Sequence, residues 1–199
     1  MSTKSLSWVL AVCLLAVASR TAVAVELKVS REALERTLQR QLFSGPDGRY
    51  YLKGHPGSAC SVYAEDAHLR FEQDRIIVQV KTHARMGKSV GSACLGLSLA
   101  PLAEVAVEPY GEGNTIGFRN AQLVKVSDQK ELNFLLAPFL SRQIPKGMQV
   151  DAASLLRQAL AGSTASSGYN VTLERLKIHS LQIEGENLVV DADGELSVQ

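Results

Sequence analysis

Two cysteines are the residues of this sequence best suited to covalent chemistry. Cys60 and Cys94 each end the tetrapeptide GSAC, at residues 57–60 and 91–94, while Cys13 lies inside an apolar N-terminal run. In an oxidising compartment two cysteines most simply form a structural disulfide, and closing a loop of this length stabilises a fold by about 4 kcal/mol in the chain-entropy model. Free or reactive thiols are the alternative, although no CxxC spacing supports a redox or metal site.

Other residues with chemical potential lack the partners that a reaction would need. The four histidines show no spacing typical of zinc ligands, so we expect no metal site and no cofactor; they are His55, His68, His83 and His179. A glycine-rich segment at 111–117 joins two predicted strands, which favours a hairpin turn over a phosphate-binding loop. No G-x-S-x-G elbow occurs, and the serines beside the cysteines have no evident base. We therefore expect no catalytic residues and no enzymatic activity.

The first 24 residues have the pattern of a secretory leader. Lys4 supplies a positive start, residues 8–17 are almost entirely apolar, and Ala22 and Ala24 form the small-x-small pattern that precedes a cleavage site. The apolar run is too short to cross a bilayer of about 30 Å. We expect a protein that is periplasmic or secreted, soluble after cleavage near Ala24, with residues 25–199 forming one domain.

The charge of the chain is balanced, with one local exception. The sequence contains 21 basic and 20 acidic residues, so it lacks the strongly basic surface that nucleic acid requires. Lys81, His83, Arg85 and Lys88 form a basic cluster within one predicted hairpin. Two interpretations are open for this cluster. It is either a solvated hairpin end or a headgroup or membrane patch built from Lys81, Arg85 and Lys88.

Capping residues and apolar spacing predict three helices. Ser30 is placed to cap the first, in which leucines recur every four residues from Leu34. The third begins at Asp151 and is expected to end at Gly162, followed by a mobile loop at 162–168.

The second helix is the most apolar of the three. Asp128 and Glu131 form a capping pattern at its start, and Pro138 predicts a kink or break. One face carries five large apolar side chains, which are Leu132, Leu135, Leu136, Phe139 and Leu140.

The rest of the sequence alternates between apolar and polar residues, as is typical of half-buried antiparallel strands. We predict strands at 62–71, 75–83, 95–109, 116–126, 171–183, 188–190 and 196–198. The alternation changes phase near Asn120, which predicts a β-bulge, and Asp193-Gly194 predicts a break between the last strands. The sheet has one apolar face that needs cover. The sequence therefore predicts an α+β fold in which a strongly curved antiparallel sheet wraps around long amphipathic helices.

The order of elements and several short segments resemble the YceB-like periplasmic lipoproteins, the bacterial branch of the tubular lipid-binding (TULIP) fold. The similar segments are VSREAL at 29–34, DRIIV at 74–78, EPY at 108–110, QLVKV at 122–126 and the leucine-rich stretch 131–144. The sequence departs from that family in having no lipoprotein cysteine at the expected mature N-terminus and in its Cys60 and Cys94 pair.

This resemblance implies an elongated apolar groove between sheet and helices that accepts a lipid tail, without catalytic residues. The predicted ligand-binding side chains are Leu97, Phe118, Leu132, Leu135, Leu136, Phe139 and Leu140. We therefore predict an exported binding protein whose partner is a lipid or apolar small molecule, with transient membrane-surface contact and no nucleic acid. The alternative is a structural or interaction protein of the envelope with a filled core and no ligand.

Overall fold

The computed structural model describes residues 23–198, except the side chains of 162–167. Residues 1–22 of the predicted leader thus lie outside the described residues, and Val23 and Ala24 belong to the first strand. The strands are β1 Val23–Ser30, β2 Tyr50–Lys53, β3 Ser61–Glu72, β4 Arg75–Val90, β5 Ala93–Leu99, β6 Leu102–Glu112, β7 Thr115–Lys125, β8 Val150–Asp151, β9 Val171–Glu184 and β10 Asn187–Val198.

The strands form two antiparallel sheets. The larger is curled and has the order β2-β3-β4-β6-β7-β8, with β5 paired to β4 beyond the end of β6. The smaller has the order β1-β10-β9. Short turns between sequential strands require this antiparallel arrangement. The predicted α+β class with an antiparallel sheet is confirmed.

The helices are short. They are α1 Arg31–Leu42, α2 Lys130–Pro138, α3 Ile144–Gly147 and α4 Ala152–Ser167, with a π-helical turn, Phe139–Gln143, between α2 and α3. The predicted cap of α1 is confirmed, because the Ser30 hydroxyl accepts a hydrogen bond of 3.3 Å from the Ala33 amide. The predicted break at Pro138 is also confirmed, since the α-helix ends there. Proline lacks the amide that an uninterrupted α-helix needs.

Two helix predictions are wrong. Asp128 caps nothing, because α2 begins at Lys130 and the residue in the cap position, Gln129, makes no side-chain capping bond. Gly162 does not end the last helix, which continues to Ser167 in place of the predicted mobile loop. A single glycine costs a helix about 1 kcal/mol, which weakens but does not terminate a segment whose neighbours favour it.

The strand predictions hold for most of the larger sheet. The bulge near Asn120 is confirmed, since the β6–β7 register shifts there and Asn120 has φ 52°. Three strands were not predicted, namely β1, the four-residue β2 and the two-residue β8. The prediction of one strand at 95–109 is wrong, because the chain leaves the sheet at Ala100-Pro101 and divides into β5 and β6. The predicted break at Asp193-Gly194 is wrong, because β10 runs unbroken through both residues and keeps its pairing with β1 and β9.

One apolar core fills the space between the sheets and the helices. α1 packs on β3, α4 packs on β9, and the π-helical turn packs on β6 and β7. The largest side chains with essentially no exposure come from both layers, among them Leu34, Leu38, Ile76, Ile116, Leu132, Leu136, Leu140 and Ile144. Burial of such side chains is the main favourable term in folding.

Candidate functional site

The structure brings six of the seven predicted ligand-binding residues together, as parts of the core. Leu132, Leu136 and Leu140 are completely buried, Phe139 and Phe118 nearly so, and Leu135 is half-buried. Five of the six belong to one cluster of buried apolar residues, and Leu135 packs against that cluster. Leu97 is elsewhere, on β5, with 42% of its surface exposed.

The cleft that touches the predicted lipid site is small. It has a volume of about 260 Å³, is open to solvent, and is lined by Tyr50, Leu52, Leu135, Phe139 and Arg142, among others. Pockets for drug-sized ligands span about 300–1,000 Å³ and are mostly apolar. Larger clefts of about 490, 390 and 720 Å³ on the described surface are lined by none of the seven residues.

A two-stranded arm extends from the larger sheet. We call it the β4–β5 arm, residues 84–99. Its pairing runs without a shift from Ala84 opposite Leu99 to Val90 opposite Ala93. β3 pairs with β4 only as far as Arg85, so beyond that residue the arm consists of two strands alone. Buried Thr82 fixes the base of the arm, since its hydroxyl donates a 2.7 Å hydrogen bond to the Pro101 carbonyl.

One face of the arm is apolar and uncovered. Opposite residues in an antiparallel pair share a face, so Met86 lies beside Leu97 on the same side as the buried Ala84. Further out on this face the exposed fractions are 61% for Leu95 and 51% for Val90. The apolar face that is buried near the base of the arm is therefore exposed toward its tip.

The predicted basic patch divides into two parts. Lys81 lies 2.5 Å from the Asp66 carboxylate, which raises the pKa of Lys81 and lowers that of Asp66. Arg85 and Lys88 are exposed, and neither forms an ion pair within the described part of the chain. The cations without an acidic partner are thus on the arm.

The disulfide prediction is confirmed, with Cys60 bonded to Cys94. A glycine pair further shapes the arm, because Gly87 lies opposite Gly96. A Cβ on Gly96 would overlap the carbonyl oxygen of Met86, and one on Gly87 would overlap that of Leu95. The two strands therefore approach more closely here than side chains would allow.

An aromatic and charged cluster covers the outer face of β2, β3 and β4. The Tyr63 ring lies 5.5 Å from that of Tyr51 and 5.0 Å from the His83 ring, and the Arg49 guanidinium lies 4.4 Å above Tyr63. The Glu65 carboxylate accepts from Arg49 and contacts His83, both at 2.9 Å. Strand register creates this cluster, so alternation alone did not reveal it. Arg49 and His83 both direct their nitrogens to the Glu65 carboxylate.

No group of three or more His, Cys, Asp or Glu residues in the described chain is arranged to hold a metal ion. Three histidines instead contact carboxylates: His68 with Asp66, His83 with Glu65 and His179 with Asp193. Within residues 23–198, no helix is long and apolar enough to span a membrane.

Comparison with known proteins adds no assignment. No family model matches this sequence, and no curated protein is significantly similar to it. The resemblance to the YceB-like proteins therefore stays a prediction.

Proposed function

We propose that this protein is an exported, non-enzymatic interaction protein of the cell envelope that binds its partner through the β4–β5 arm. The observation that carries the proposal is the uncovered apolar face formed by Val90, Leu95 and Leu97. Contiguous exposed apolar surface on a folded domain is typical of an interaction site.

The filled core supports an external site over an enclosed one. Leu132, Leu136 and Leu140 have no exposed surface, so a lipid tail would have to displace side chains that already pack against each other. Removing such contacts costs several kcal/mol per large side chain. A curved sheet that holds a lipid against these helices remains the second candidate, and the open cleft beside Leu135 and Phe139 is the observation in its favour.

The export and the absence of catalysis rest on separate arguments. The leader pattern of residues 1–24 predicts export, and a Cys60–Cys94 disulfide is typical of proteins outside the reducing cytosol. Because both cysteines are bonded, neither offers the thiolate that a cysteine nucleophile requires.

Native mass spectrometry of protein purified without detergent separates the two candidates. We expect the mass of the bare chain, whereas one lipid per chain that survives purification would favour the carrier. A photo-crosslinking residue at Leu95 tests the arm in intact envelopes, with the same residue at Leu196, 39% exposed on β10, as the matched control. We expect adducts from position 95 only. Equal labelling at the two positions, or none, would contradict the proposal.

A further inference from the structure

We infer that the partner of the β4–β5 arm is the surface of an anionic lipid bilayer. This inference rests on the proposed function, of which it names the partner. The arm would insert its tip into the headgroup region while the core stays outside the membrane. Three features of the arm support this partner: the position of its apolar side chains, its charge and its rigidity.

The apolar side chains lie where an insertion would need them. Val90 directly precedes the turn at Gly91-Ser92, Leu95 follows the turn by three residues, and Leu97 lies closer to the base. A strand rises about 3.3 Å per residue, so the segment from Leu97 to the turn is about 15 Å long. Interfacial anchors bury their apolar face by about 5–10 Å. The arm can therefore reach that depth without moving any part of the core.

The charge of the arm is complementary to an anionic surface. Residues 82–103 contain no Asp or Glu, and the exposed cations Arg85 and Lys88 form no ion pair within the described part of the chain. Lys88 lies opposite Leu95, on the apolar face itself. Lysine is depleted at the centre of protein interfaces, whereas at a membrane interface a lysine can bury its aliphatic stem on apolar surface and keep its ammonium in water. This juxtaposition favours lipid over a protein partner.

The arm is also held in one conformation before binding. The Cys60–Cys94 bond joins β5 to the residue that precedes β3, and the Gly87–Gly96 pair brings the two strands close together. A rigid anchor loses less conformational freedom when it binds than a flexible one.

Vesicle sedimentation tests the inference. The chain from Val25 onward is mixed with vesicles of phosphatidylcholine and phosphatidylglycerol, or of phosphatidylcholine alone, at low and high salt. We expect binding to the mixed vesicles, weakened by salt. The double variant Arg85→Gln/Lys88→Gln should bind about 25-fold more weakly, since each basic side chain near an anionic surface contributes about fivefold. Leu95→Asn/Leu97→Asn should lose at least about tenfold.

Matched controls carry the same chemical changes away from the arm. Arg36→Gln/Lys177→Gln removes two exposed cations from α1 and β9, and Leu196→Asn removes an exposed leucine from β10. These variants should bind like the unchanged protein. No sedimentation of the unchanged protein, or equal losses in arm and control variants, would overturn the inference.

Fluorescence provides a direct measure that does not depend on loss of binding. Trp8, inside the predicted leader, is the only tryptophan of the sequence, so Leu95→Trp would give the chain from Val25 a single reporter. Its emission should shift to the blue with mixed vesicles, while Leu196→Trp should not respond. An unshifted emission at position 95 would overturn insertion. If crosslinking from position 95 then captured a protein, the interaction function would stand and the membrane inference would fail.

Discussion

Cys60 and Cys94 are bonded with their Cα atoms 5.0 Å apart, although the strands that they adjoin lie on opposite sides of β4. Ala84 of β4 pairs with Val62 of β3 on one side and with Leu99 of β5 on the other. Cys60 directly precedes β3 and Cys94 lies on β5, so the bridge joins segments that are attached to opposite edges of β4. The covalent link therefore ties the outer strand of the arm to the body of the sheet.

Removing this link should destabilise the whole domain. Cys60 and Cys94 are 34 residues apart, and the chain-entropy model assigns a loop of that size about 4 kcal/mol of unfolding free energy. We expect Cys60→Ser/Cys94→Ser to lose about this amount in urea unfolding, and reduction of the unchanged protein to match the double variant. Addition of reductant to the double variant is the control and should change nothing. A loss below about 1 kcal/mol would argue against the constraint.

The close approach of Gly87 and Gly96 predicts a strong response to alanine. Gly96 has φ 156°, which L-residues rarely adopt, and its Cβ would overlap a backbone carbonyl. Gly96→Ala should cost about 3 kcal/mol and increase hydrogen exchange of arm amides. Gly91→Ala is the matched control: Gly91 has φ 57° with open space around it, so the change should cost only about 1 kcal/mol. Similar losses at the two positions would contradict this account of the arm.

A filled core predicts a large cost for truncating Leu136. This side chain is completely buried, whereas Phe134 on the same helix is 81% exposed. Leu136→Ala should lower the free energy of unfolding by about 2–5 kcal/mol, and Phe134→Ala should change it by less than about 0.5 kcal/mol. Chemical denaturation measures both. A small effect at Leu136 would indicate a loosely packed interior and would favour the lipid carrier over the interaction protein.

Glu35 of α1 should be important for the shape of β3. Its carboxylate accepts a 2.6 Å hydrogen bond from the Leu69 amide, next to a register shift at which Asp66 has φ 55°. Glu35→Ala should cost about 1.5–3 kcal/mol, as expected for a hydrogen bond to a charged acceptor. Glu35→Gln keeps an acceptor and should recover most of the loss. Glu32→Ala, which removes a surface ion pair with Arg31 in the first turn of α1, is the control and should cost much less.

Asp151 predicts a pH-dependent contribution to stability. Its carboxylate accepts hydrogen bonds of 2.9 Å from the Ser154 amide and hydroxyl at the start of α4. The hydrogen bond from the Ser154 backbone amide is the main reason that the pKa of Asp151 lies below its usual value. A lowered pKa favours the folded state above the unfolded pKa of about 3.9, and this benefit is lost as the pH falls through the lower folded pKa.

Asp151→Ala should therefore cost about 1 kcal/mol at neutral pH, and the difference from the unchanged protein should shrink in acid. Thermal unfolding at several pH values measures this trend. Asp128→Ala provides the comparison, because Asp128 precedes α2 without capping it. A cost at Asp151 that stayed constant into strong acid would exclude the cap as its cause.

Local signals predicted the parts of the fold that depend on local chemistry. The Ser30 cap follows from the hydroxyl beside an apolar repeat, and the Asn120 bulge follows from a change of phase. β2 is too short to show alternation, and Gly162 carried a helix-ending signal that its neighbours override. These errors arise where tertiary contacts or neighbouring residues outweigh one local preference.

The candidate site illustrates a different limit. Leu95 and Leu97 alternate like the residues of a covered strand, so the pattern assigned Leu97 to the lipid groove. Whether an apolar face is covered depends on a second layer built from elements distant in sequence, and the arm extends past the part of β4 that pairs with β3 and β6. The bond between Cys60 and Cys94 could be predicted because the sequence has a leader pattern, which indicates an oxidising compartment, and two cysteines after it.

β10 lies between β1 and β9, so the first described strand, β1, pairs with the last one, β10. A polypeptide that leaves a ribosome or a translocation pore N-terminus first therefore holds Val23–Ser30 without its neighbour until Asn187–Val198 has emerged. Completion of the small sheet must therefore wait for β10. Because this pairing joins strands distant in sequence, its loop-closure cost must be met before the small sheet gains its contacts.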